Sequence, residues 1–186
     1  MSAPVTRRRR TRACWLLAGV AVLVAAVLGT GTVGVAHVVS VSMAPSYDVG
    51  STLLTTRVGS ADPRRGDVVV FEVPASWRAA ADESGADLTS GLMVKRVLAV
   101  GGDHVVCCAP GGLVVVNDAV VEEPYLASRP ESTSNATYDV TIPAGHLWLV
   151  GDNRRRSFDS RAMHVRDPGA GFVPVAAVRA LVLRGF

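Results

Sequence analysis

The feature that most restricts this chain is a run of 23 residues, Ala13 to Val35, without a single charged side chain. As a helix rising about 1.5 Å per residue it would reach roughly 35 Å, enough to cross a hydrocarbon core of about 30 Å. Five arginines precede it (Arg7, Arg8, Arg9, Arg10 and Arg12), and no acid occurs before Asp48. That asymmetry assigns residues 1–12 to a cytoplasmic basic tail, 13–36 to a single-pass membrane anchor and 37–186 to an extracytoplasmic domain. A cleaved leader is the competing reading, because Gly34-Val35-Ala36 offers the small residues that cleavage sites favour. Against it, the apolar run is longer than the roughly 7–15 residues of a leader's apolar region.

The residues beyond the anchor suffice for one domain with its own core. With the five tail arginines set aside, 14 basic residues face 16 acids, so the chain's net charge of +3 belongs to the tail. No electrostatic case for a nucleic-acid partner remains. Of three cysteines, Cys14 starts the apolar run and Cys107-Cys108 are adjacent, a poor geometry for a loop-closing disulfide. Neither they nor the four scattered histidines have zinc-ligand spacing, so no metal is expected.

Past Pro45, short apolar runs alternate with Gly, Pro and Asp turns, which predicts a mostly β domain. Strands are expected at 51–56, 68–73, 92–100, 138–142 and 146–150, with a last apolar stretch at 173–183. Leu113 to Val116 and Ala119 to Val121 flank Asn117-Asp118 as a hairpin with a two-residue turn. Arg65-Gly66-Asp67 reads as a turn feeding a strand. Residues 74–91 lack either period and read as a mobile loop with Trp77 as its one aromatic residue. Glu122 to Thr137 is polar and irregular; its Asn135-Ala136-Thr137 matches a glycosylation acceptor, a pattern frequent by chance.

Three segments could carry chemistry. Ser40 and Ser42 lie at most about 20 Å beyond the expected anchor and point to one side of an extended chain. Lys95 shares a strand face with Met93, Val97 and Ala99, where lost hydration would push its pKa down. From a reference near 10.4, being neutral at pH 7 costs about 4.6 kcal/mol, and a lysine so prepared can serve as general base to a serine. The third segment, Gly151 to Arg161, packs turn formers and alternating charge into a short loop, with Asp159 and Arg161 able to pair and Ser157 able to hold a nearby amine. Taken singly, each has a bland reading: a juxtamembrane linker, an edge-strand lysine reaching solvent, a solvated charged loop.

Together they resemble the type I signal peptidases (bacterial leader peptidases, family S26), membrane-bound Ser/Lys peptidases. The match runs through Ser42-Met43-Ala44-Pro45, Arg65-Gly66-Asp67-Val68-Val69-Val70-Phe71, Lys95-Arg96-Val97 with Gly101-Gly102-Asp103, Gly151-Asp152-Asn153 to Ser157 with Asp159-Ser160-Arg161, and Gly171-Phe172-Val173-Pro174. The tail, Cys107-Cys108 and the Ala/Val/Arg-rich composition look like an actinobacterial member.

The resemblance implies an antiparallel β-sheet domain, of the kind shared with self-cleaving repressors, resting an apolar surface on the lipid bilayer. It implies Ser42 as nucleophile and Lys95 as general base. Ser40 with the backbone N–H of Ser42 would form the oxyanion hole, Ser157 would orient the Lys95 amine, and Asp159 and Arg161 would brace the site. Met43 would line the substrate-binding region. The substrates would be signal peptides of exported preproteins, cut after Ala-x-Ala and bound as an added strand; no cofactor is implied, and a monomer is expected. Two departures stand out: Arg155 and Arg156 replace an acid and an amide, and Ser46 replaces threonine. Residues 162–170 fit the pattern less well. The rivals are a self-cleaving repressor, which would need a DNA-binding domain, and an inactive membrane-tethered binding module of the same fold.

Overall fold

The computed structural model describes residues 33–57, 62–84, 88, 90–126 and 137–186. The basic tail, the anchor up to residue 32 and the Asn135 acceptor lie outside them. No described helix is long and apolar enough to cross a membrane.

Among the described residues, eleven strands and two α-helices follow in chain order: β1 Val33–His37, β2 Thr52–Arg57, β3 Val68–Glu72, α1 Ala75–Ser84, β4 Leu92–Val100, β5 His104–Ala109, β6 Leu113–Val116, β7 Ala119–Val120, β8 Tyr138–Thr141, β9 His146–Val150, α2 Ser160–Arg166, β10 Val173–Pro174 and β11 Val178–Gly185. They make a seven-stranded sheet of order β1-β2-β11-β3-β4-β9-β10 and a four-stranded sheet of order β7-β6-β5-β8. From β2 onward every pairing in the larger sheet is antiparallel, as are those in the smaller one. The mostly β expectation holds.

The first described strand begins inside the segment assigned to the anchor. Val33–His37, counted up to residue 36 as membrane helix, is strand β1. The β-branched Val33 and Val35 favour an extended chain. Beyond β1, Val38 donates to Ser51 O and accepts from Gly50 N, so the stretch from 38 to 51 is closed at its base.

Two apolar clusters flank the centre of the larger sheet. One gathers Val69, Phe71, Val97, Leu149 and Val178 with Trp77 of α1 and Met163 of α2. The other gathers Leu98, Ala99, Trp148 and Val150 with Val105, Val114 and Val140 of the smaller sheet. Strands β4 and β9 feed both because alternate side chains leave opposite faces. A register shift between Val97 and Ala99 puts Leu98 and Ala99 together in the second cluster. Ala99 therefore does not share the face of Lys95 and Val97, as strict alternation predicts; a bulge there resets the faces.

Residues 74–91, expected to be an irregular loop, contain α1. Its buried residues are Trp77, Ala80 and Ala81, so alanine supplies helix propensity without the large apolar side chains that mark a period. Trp77 is fully buried, donates to Ala170 O at 2.7 Å and meets Phe71 and Phe158 edge-on. The β6–β7 hairpin turns through Asn117 and Asp118, both at positive φ as a type I′ turn requires. Strand β5 was not foreseen. It carries Cys107 and Cys108, which are bonded to each other and close no chain loop.

Candidate active site

Lys95 enters from β4, which lies between β3 and β9, with Val69 opposite it. No edge is available for its stem to reach solvent, and the residue is 1% exposed. Ser42 arrives from the other side on a 3-10 turn, Val41–Met43, entered through an extended Ser40. The two meet: Lys95 Nζ lies 2.8 Å from Ser42 Oγ and also donates to Val94 O at 3.1 Å. Ser40 Oγ is 3.1 Å from Ser42 Oγ. The Ser42 N–H stands in the first turn of its 3-10 segment, where backbone donors have no partner within the turn.

The loop after β9 seats this turn. Asn153 N donates to Ser42 O at 3.0 Å, and Asn153 Nδ2 to Val41 O at 3.1 Å. Gly151 is needed at its position, since an added Cβ would fall 2.5 Å from Ser42 O and 2.2 Å from Ser157 Oγ. Neither role was foreseen, although Gly151-Asp152-Asn153 stands in the recognised motif.

Burial pushes the Lys95 amine down to about 8; Asp159 opposes the shift, Arg161 adds to it and Asp152 opposes it. The lysine is thereby neutral in about one molecule in ten at pH 7, against less than one in a thousand for a free lysine. Asp159 is itself fully buried. Burial raises its carboxyl, but Arg161 and the Gly151 N–H outweigh that and hold it below the ordinary carboxylate value. Asp159 caps α2 by accepting from Arg161 N, and takes Arg161 Nε at 2.9 Å and Nη2 at 2.7 Å. The pair forms as expected, across a helix start rather than along extended chain.

Ser157 and Met43 both stand close to the Ser42 turn. Ser157 Oγ is buried and has no well-formed hydrogen bond, though it lies near enough to Asp159 to help hold that carboxyl down. The second hydrogen bond of the Lys95 amine goes to Val94 O instead. Met43 is buried, at 1% exposed, in the same turn as Ser42. Arg155 and Arg156 are exposed, and neither is among the groups that shift Lys95. Ser46 Oγ accepts from Arg96 at 3.4 Å. Among the described residues no group of three or more His, Cys, Asp or Glu side chains is placed to hold a metal.

A serine hydroxyl with a buried amine 2.8 Å away and a second serine hydroxyl at 3.1 Å is an arrangement that can supply a nucleophile and its base. The family model for signal peptidases, peptidase S26, matches residues 11–183. The chain belongs to this family. Signal peptidase I of Mycobacterium tuberculosis is 36% identical over 155 residues, 67% of this chain and 52% of that protein. The probable signal peptidase I of Mycobacterium leprae is 35% identical over 157 residues, 62% of this chain and 53% of that protein. This chain therefore spans about half the length of these mycobacterial relatives. A solved signal peptidase I from Enterococcus faecalis matches 68% of this chain and 100% of its own at 26% identity, with a TM-score of 0.48.

Proposed function

We propose that this chain is a membrane-bound serine endopeptidase that removes N-terminal signal peptides from exported preproteins after small residues at Ala-x-Ala sites. The observation that carries the reading is the 2.8 Å line between Lys95 Nζ and Ser42 Oγ, with the amine buried and depressed to about 8. When the amine is charged it donates to the hydroxyl; when neutral, the same line carries the hydroxyl proton toward nitrogen.

The steps follow from that exchange. Lys95 takes the Ser42 proton as Oγ adds to the scissile carbonyl carbon, and Ser42 N–H with Ser40 Oγ–H receives the oxyanion. Lys95 returns the proton to the departing amine of the mature protein, leaving the signal peptide esterified to Ser42. A water deprotonated by Lys95 then hydrolyses the ester. Asp159 and Arg161 hold the loop that seats Ser42, and the signal peptide lies as an added strand. The uncharged run that starts at Ala13 anchors the chain in the bilayer with the N-terminus cytoplasmic, and the protein acts as a monomer.

The test is incubation of the detergent-solubilised full chain with an exported precursor and location of the new N-terminus by mass spectrometry. Cleavage after a small residue, abolished by Ser42→Ala and by Lys95→Ala in folded protein, is the expected result. Persistent cleavage in either variant would sink the dyad.

A further inference from the structure

Beyond the residues that meet Ser42, the structure joins both flanks of the site to one carboxylate in the segment after β7. Glu123 follows β7, in the segment leading away from the smaller sheet, and its side chain is 9% exposed. Its two oxygens receive the Arg154 guanidinium, Nη1 on Oε2 at 3.0 Å and Nη2 on Oε1, and Oε1 also accepts from Tyr125 Oη at 2.8 Å. Arg154 is more deeply buried than its partner, at 3%.

From this joint two arms run to the chemistry. On one, Arg154 Nε donates to Gly151 O at 3.0 Å, and its own carbonyl accepts from Arg161 Nη2 at 3.0 Å. Gly151 is the residue with no room for a Cβ beside Ser42 O, and its N–H binds Asp159. On the other arm, the Tyr125 ring lies 4.0 Å from the Arg96 guanidinium. Arg96 grips Asp152 through Nε at 2.8 Å and Nη2 at 2.6 Å and donates Nη1 to Gly66 O. It is the residue next to Lys95 on β4.

We propose that Glu123 is a positioning residue for the reaction, holding Arg154 and Tyr125 so that the Gly151 loop and β4 keep Ser42 and Lys95 in register. The inference rests on the peptidase reading above. A buried arginine is costly unless its charge is paired and its donors are used. Here the pairing also fixes which way Nε points, and Nε is the donor that reaches the loop. A planar fork can serve Glu123 and Gly151 at once, whereas a lysine ammonium on a flexible stem cannot reproduce that geometry. Misplacement by about 1 Å at a reacting centre can cost on the order of a hundred-fold in rate, so a small drift of Gly151 suffices.

Three variants of the detergent-solubilised full chain test this on a preprotein that the unaltered protein cleaves. If the unaltered protein cleaves nothing, it is the peptidase reading that fails, not this one. Glu123→Gln is expected to lower kcat about ten-fold or more with KM within about two-fold, because substrate contacts are untouched while alignment is lost. Arg154→Lys keeps a charge opposite Glu123 and is expected to melt near the parent temperature yet lose kcat to a similar degree. Glu123→Gln combined with Arg154→Met removes both charges, so no lone buried ion remains; its melting temperature is expected to rise above that of Glu123→Gln while kcat stays low. Recovery of kcat in the double variant, loss of kcat only in proportion to the unfolded fraction, or a change confined to KM would each overturn the proposal.

Discussion

The depressed amine of Lys95 makes the pH dependence of cleavage a quantitative test. With the group pushed down to about 8, its neutral form is about 1% of molecules at pH 6, about 10% at pH 7, half at pH 8 and about 90% at pH 9. Since the base must be neutral, kcat/KM should climb close to ten-fold from pH 6 to 7, roughly five-fold from 7 to 8, and level off above about pH 9. Stability carries the same signature with a definite sign. The folded state holds Lys95 below its ordinary value of 10.5, so between about 8 and 10.5 the unfolded chain binds a proton that the native chain does not, and stability rises with pH. Below about 8 the full penalty applies, on the order of 3 kcal/mol for a residue this deeply buried. Lys95→Met should therefore be inactive yet melt higher than the parent at pH 7, with the gap closing as pH passes 10.5. The assays are initial rates on a fluorogenic preprotein peptide from pH 6 to 10 and thermal melts of both proteins at pH 7 and 10.5. A flat rate profile, a limb centred above pH 10, or a Lys95→Met variant less stable at pH 7 than at pH 10.5 relative to the parent would refute the reasoning.

Further predictions concern the groups around the dyad. Ser40→Ala removes one proposed oxyanion donor and should cut kcat by about a hundred-fold with little change in KM or melting temperature, read by steady-state kinetics. Gly151→Ala drives a methyl against Ser42 O and Ser157; kcat should fall by on the order of a hundred-fold, and adding Ser157→Ala should restore little of it because the Ser42 carbonyl is backbone. Asp159→Asn leaves Arg161 buried beside a neutral partner, which should cost about 3–5 kcal/mol in denaturant unfolding. Because Asp159 raises the Lys95 pKa, the acid limb of the surviving activity should move to lower pH.

What could be read from the chain, and what could not, follows from the range of the forces involved. Strands β4 and β9 and the Asn117-Asp118 turn are local patterns, and residues 92–100 and 146–150 form as their apolar content predicts. The meeting of Ser42 with Lys95 was legible through family motifs alone, since 53 residues separate them. Helix α1 was hidden because alanine marks no apolar stripe. The bulge at Leu98 was hidden because alternation cannot signal its own interruption. Ser157 was assigned to the amine by motif, whereas its buried hydroxyl stands beside Gly151 and Asp159. The Glu123–Arg154 pair joins residues 31 apart, and no periodicity or spacing rule reports a contact of that kind.

The two hydrogen bonds that close the stretch between Val38 and Ser51 have a mechanical corollary. A pull applied along β1 meets the β1–β2 edge and then that clasp before it can reach the turn that carries Ser42. Ser42 is thus seated independently of β1, and a change confined to β1 should leave its hydroxyl in place.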